Sequence, residues 1–172
     1  MRRTLDTLYD AAAWAAAFFM IGTLLMVLAS VLGRELGFNL RGSDAYAGYC
    51  MAAASFLALA HTLKRGEHIR VNLFLERFGP RTTRWLEWLS HAAGTFFCVA
   101  LAVYSARLVW QSYTFNDVSQ GSDATPLWIP QLAMAAGAAI LAVAMADDFI
   151  LHLRGRAPKP RSDAADELKL IE

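Results

Sequence analysis

The side chains with the means to do chemistry stand at the edges of long apolar runs. Three of the four histidines, His61, His91 and His152, fall toward one end of three different runs. Two imidazoles at matching depth on facing helices are what a b-type haem takes as axial ligands, and His61 and His91 are the pair that could supply them. No glycine is placed to admit a macrocycle beside them, and an interfacial histidine bonded to a neighbour is the commoner arrangement. Asp10, Asp147 and Asp148 stand at the same edge, as do Lys64, Arg65 and Arg70. A proton relay steps titratable groups through the bilayer centre, and the middles of the runs carry none. These positions favour ion pairs between helix ends instead. No HExxH, paired CxxC, P-loop or GxSxG signature is present, so hydrolysis has no support.

The elements that position these groups are the runs themselves. The chain has 172 residues, 56% of them hydrophobic and 18% charged, with a mean hydropathy of +0.34. A soluble domain of this length is rarely so apolar. A stretch of about 20 apolar residues rising 1.5 Å each spans a hydrocarbon core of about 30 Å. Four stretches qualify, at about 10–33, 45–64, 85–110 and 127–151. The first follows Met1-Arg2-Arg3 as a signal peptide would. Its uncharged run from Ala11 to Gly33 exceeds the ~7–15 apolar residues of such a leader, so it reads as a retained helix. The expected fold is an all-α integral membrane protein, with one four-helix domain over 1–153 and a polar tail over 154–172. The net charge of +1 gives no basic balance that nucleic acid would need. Cys50 and Cys98 lie within apolar runs and read as buried free thiols.

Lysine and arginine set the orientation. With the N-terminus inside, thirteen of the sixteen fall on the inner side, leaving Arg34, Arg41 and Arg107 outside. That bias places both termini in the cytoplasm. Trp14, Trp85 and Trp88 then sit near the inner headgroups, and Tyr46, Tyr49, Trp110, Tyr113 and Trp128 near the outer ones.

Between the second and third runs lies Ala60–Phe78, AHTLKRGEHIRVNLFLERF. Lys64 and Arg65 complement the carbonyl end of a helix, and Gly66 suits the left-handed cap that ends it. Val71, Phe74, Leu75 and Phe78 then recur at helical spacing, which predicts a short helix lying in the membrane interface. The outer loops, Arg34–Asp44 and Ser112–Thr125, are rich in Gly, Asn, Asp and Ser and read as turns. Pro126 and Pro130 predict that the fourth helix starts or bends there. Ala54 and Ala58, and Ala138, Ala142 and Ala146, recur every fourth residue. Such stripes let helix backbones approach closely in lipid, within the bundle or against a partner.

With these residues in view, the chain resembles the small membrane subunit of tripartite ATP-independent periplasmic (TRAP) transporters. The resemblance rests on Gly66-Glu67-His68-Ile69-Arg70-Val71-Asn72 after the second helix, similar to that family's G-x-H-I/V-R-V-D/N. Pro126-Leu127-Trp128-Ile129-Pro130, followed by Gly137, resembles the start of the family's last helix, and Gly33-Arg34 is a third, weaker likeness. Together these cover Ala11 to about Leu153. The chain departs from the family in having Ser43-Asp44-Ala45-Tyr46 where many members have Trp and Glu, and in Asn72 where an acid is commoner.

The resemblance implies a multi-pass protein of the bacterial inner membrane that pairs with a large membrane subunit. That partner moves substrate by an elevator motion coupled to a sodium gradient. A periplasmic binding protein delivers the substrate, commonly an organic acid anion. The small subunit is expected to be a non-catalytic scaffold without a cofactor. Gly66, His68, Arg70 and Asn72 would carry its structural motif. A haem-bearing membrane anchor of a redox enzyme and a free-standing small membrane protein are the alternative readings.

Overall fold

The computed structural model describes residues 2–38, 40–65, 80–121 and 123–153. Helices α1 (Arg2–Glu35), α2 (Ser43–Arg65), α3 (Pro80–Thr114) and α4 (Trp128–Leu153) hold nearly all of them. Each contains a segment long and apolar enough to cross a membrane: Leu5–Glu35, Ser43–Leu63, Trp88–Thr114 and Trp128–Leu151. The four-helix membrane architecture expected from the runs is therefore present. The expected interfacial helix after Gly66 and the polar tail fall outside the described residues.

The helices end where their sequences allow. At the end of α1, the Phe38 amide donates to the Gly33 carbonyl (2.9 Å) and the Gly37 amide to that of Arg34 (3.4 Å). This double closure needs a left-handed residue just past the helix, and Gly37 has φ +76°. The end of α3 repeats the device with an asparagine. The Asp117 amide donates to the Ser112 carbonyl (3.0 Å) and that of Asn116 to Tyr113 (3.4 Å), with Asn116 at φ 52°. Asn tolerates that region better than most side chains. Helix α3 thus runs beyond the expected boundary near 110, because nothing before Asn116 stops it. Pro126 precedes α4 and Pro130 lies in its first turn, where a missing N–H costs no helical bond. The helix starts there.

The helices pack in the order α1–α2–α4–α3, so α2 and α4 are central and α1 and α3 flank them. Of the membrane-spanning windows, 28% of the α4 window and 22% of the α2 window are buried, against 6% for α1 and for α3. Ala53, Ala54 and Leu57 of α2 and Ala138, Leu141 and Ala142 of α4 are all buried, and the two helices touch directly where Gly137 meets Phe56. On α3, the half-buried and buried residues His91, Thr95, Cys98, Ala102, Ser105, Val109 and Ser112 follow alternating steps of four and three. That is a narrow seam of small and polar residues, while Phe96, Phe97, Val103, Tyr104 and Trp110 turn outward. In lipid, where apolar side chains gain little by turning inward, close packing of small residues holds helices together.

Candidate functional site

The positions that set the shape of this bundle lie at three levels: the α2–α4 contact, the end carrying the termini and the end carrying the two short loops. At the first, Gly137 is buried against α2. A Cβ there would stand 2.6 Å from the carbonyl carbon and oxygen of Phe56, so only hydrogen fits. Ala138 is wholly buried beside it, Ala54 and Ala142 are buried, and Ala58 and Ala146 are half-buried. Gly22 makes a looser approach between α1 and α2, its added Cβ meeting Cys50 Sγ at 3.3 Å. Both cysteines are free and half-buried.

At the terminal end, Tyr9 of α1 is buried among Ala60, Leu141 and Ala144, with Leu63 and Cys98 packed around them. This cluster draws residues from all four helices. The carboxylates of Asp147, Asp148 and Asp6 lie close enough to its hydroxyl to act on it electrostatically. Asp10 faces His61 of α2 at 3.8 Å (Oδ1 to Nδ1), with the Asp10 side chain largely exposed. A pair so exposed contributes at most about 1 kcal/mol. Lys64 and Arg65 end α2 as expected, but their side chains fall outside the described residues. So do Gly66, His68, Arg70 and Asn72, and the side chain of His152. His61 and His91 sit on α2 and α3, and α4 packs between those helices.

The loop end holds residues that sequence reasoning did not single out. Val118 and Pro126 form an antiparallel bridge. The Ser119 amide donates to the Thr125 carbonyl (2.8 Å) and the Leu127 amide to that of Asp117 (2.9 Å). Asp123, at the turn of this small hairpin, reaches over to α2. Its Oδ1 accepts from the Ser119 hydroxyl at 2.8 Å and its Oδ2 from the Tyr49 hydroxyl at 3.1 Å. The Thr125 hydroxyl shares a hydrogen bond with Tyr46 Oη (3.0 Å). Partial desolvation raises the Asp123 pKa, but hydrogen bonds from Ser119, Thr125, its own backbone and Tyr49 outweigh that and hold the carboxyl at about 2. Gly42, at φ +83°, lies directly beneath, where a Cβ would meet Asp123 Cβ at 2.7 Å. The neighbouring Ala124 is held at φ 46°, a region that costs a non-glycine residue about 1–2 kcal/mol. Tyr46 and Tyr49 stand three residues apart on one face of α2, which a sequence can show. Their partners lie more than 70 residues away, which it cannot.

The remaining singled-out positions belong to the start of α4. The Trp128 ring packs edge-on against Tyr113 with centroids 5.8 Å apart, tying that start to the end of α3. A search of curated proteins gave no match to this chain. Residues 23–155 match the family described as "tripartite ATP-independent periplasmic transporters, DctQ component". That span includes all of α2, α3 and α4 and the last part of α1, from residue 23 onward, and the four membrane-spanning helices agree with it. The chain belongs to this family and is a TRAP transporter small subunit, a multi-pass protein of the inner membrane.

Proposed function

We propose that this chain is the fixed, non-catalytic scaffold of a secondary transporter, holding a large membrane subunit that carries the substrate pathway. One observation carries the reading. The described ionisable residues of the helices gather at the two ends, with Asp6, Asp10, His61, His91, Asp147 and Asp148 at one and Arg34, Glu35, Asp44 and Arg107 toward the other. The flanking helices α1 and α3 meanwhile expose Phe18, Leu24, Leu25, Phe96, Phe97 and Val103. Such a surface suits lipid and an apolar partner better than an ion or solute.

Family membership supports the remaining parts of the proposal. The transporter is a sodium-coupled importer of an organic acid anion, which a periplasmic binding protein hands to the membrane subunits. The charge split supports an orientation with the termini and the 66–79 connection in the cytoplasm. Gly66, His68, Arg70 and Asn72 then lie on the cytoplasmic side, where Arg70 can pair with a carboxylate of Asp10, Asp147, Asp148 or the partner. A tagged full-length chain, taken from native membranes in mild detergent, should bring a larger multi-span protein with it. Deleting the chain should abolish sodium-dependent uptake of the anion. Recovery of the chain alone, with uptake unchanged in the deletion strain, would overturn the proposal.

A further inference from the structure

Helix α3 carries Arg107 seven residues before its last residue, Thr114, or about 10 Å from its end. From Trp88 to Thr114 it is the single formally charged side chain. It is exposed on the outer surface of the bundle. Among the described residues no carboxylate pairs with it, and the His61–Asp10 pair lies at the other end. A guanidinium at the edge of the hydrocarbon needs an anion or water, and its aliphatic stem lets it reach for either.

Arg107 also lines a groove of about 490 Å³ between α3 and α4. One wall is apolar, made of Leu101 and Leu108 from α3 and Met134 from α4, and buried Ser105 forms part of the floor. The polar edge is Arg107, with Tyr104 three residues before it and Gln111 four residues after it on the same face. Trp110 and Tyr113, exposed one and two turns nearer the loop end, mark the headgroup level. The groove therefore presents a cation and an amide at headgroup depth, with an apolar channel leading inward.

We propose that this groove holds one phospholipid of the leaflet at the loop end. Its phosphate sits on Arg107 and Gln111, and an acyl chain runs along Leu101, Leu108 and Met134. A guanidinium and phosphate form charge-assisted, bidentate hydrogen bonds. No carboxylate beside Arg107 competes for it among the described residues. The volume, on the order of fifteen water molecules, admits a phosphate and the first carbons of a chain and leaves the rest of the lipid in the bilayer.

The test uses the full-length chain released from dioleoylphosphatidylglycerol vesicles and examined by native mass spectrometry. The wild type should retain one lipid. Arg107→Ala should retain it about tenfold to hundredfold more weakly, the loss expected for a hydrogen-bonded charged group, and Arg107→Lys should fall between. Gln111→Leu should weaken retention with no change of charge, keeping the test valid if Arg107→Ala folds poorly. Arg34→Ala, at the same end but outside the groove, should match the wild type. Equal retention by Arg107→Ala, or equal loss in Arg34→Ala, overturns the proposal. In native membranes, p-benzoylphenylalanine placed at Leu108 should cross-link to phospholipid. Cross-linking to a protein chain would assign the groove to a partner and overturn the proposal.

Discussion

Replacing Gly137 by alanine tests the central contact most directly. The added Cβ would lie 2.6 Å from two backbone atoms of Phe56 and 2.8 Å from its Cβ. Carbon contacts settle near 3.5 Å, so the overlap is about 1 Å. A backbone cannot rotate out of the way as a side chain can, so α2 and α4 must separate along their seam. Overpacking of this kind costs about 1–3 kcal/mol, and the rigid neighbour argues for the upper half of that range. Alanine returns up to about 1 kcal/mol through its helix propensity, leaving Gly137→Ala destabilising by about 1–2 kcal/mol.

The other helical glycines supply internal standards. Nothing lies within 4 Å of a Cβ at Gly48, so Gly48→Ala should stabilise the chain by about 0.5–1 kcal/mol. At Gly94 the clash is with Met145 Cε at 2.6 Å, the far end of a flexible side chain, so its cost should fall between. Unfolding in mixed micelles, titrated with sodium dodecyl sulfate and followed by circular dichroism, should rank the three Gly48, Gly94, Gly137 from most to least stable. A Gly137→Ala chain as stable as Gly48→Ala would refute a backbone contact between α2 and α4 at this point.

Four further outcomes are expected. The Asp123 carboxyl is held at about 2, below the ~3.9 of an unfolded aspartate. Its stabilisation of the loop is thus fully present above about pH 4 and lost as pH falls through 2, with hydrogen exchange of the Asp117–Leu127 amides as the readout. Ala124→Gly should be neutral or stabilise by up to about 1 kcal/mol, because relief of left-handed strain offsets glycine's entropy, while Ala124→Val should speed exchange in the same loop. Asp10→Asn should change stability by less than about 1 kcal/mol, since its partner His61 faces a largely exposed carboxylate. Arg70→Ala should reduce co-purification of the large subunit and uptake while leaving membrane insertion normal, and Arg70→Lys should restore only part, because an ammonium lacks the planar fork.

The four helices were legible because length alone decides what can cross a bilayer, and the start of α4 because Pro126 and Pro130 mark it, whereas α3 runs past the expected boundary to the left-handed Asn116. Their order in space was not. Helix α1 is apolar nearly all round, so its sequence does not mark the face that meets α2. Helix α3 hides its seam in serines, a threonine and a histidine, a pattern that a search for hydrophobic stripes passes over. The alanine stripes pointed at the right helices and blurred within them: Ala54 is buried but Ala58 only half so. Asp123 read as one more turn residue, because its meaning comes from Tyr49 on another helix.

The loop-end network and the glycine contact answer one physical problem. Helices in lipid gain little from hiding apolar side chains, since the surrounding tails are equally apolar. What remains is dispersion at short range and hydrogen bonds that would otherwise be unmade. Gly137 supplies the first by letting the α4 backbone lie on Phe56 of α2. Asp123 supplies the second from outside the spans, fastening the α3–α4 hairpin onto Tyr49 of α2. Gly42 beneath Asp123 sets how closely the loop can settle, and the left-handed Ala124 shows that the network tolerates strain to keep it there. Both contacts bear on α2 from the α4 side. The proposed scaffold role needs a bundle held rigid in this way. Loosening either contact should therefore impair transport before it impairs insertion.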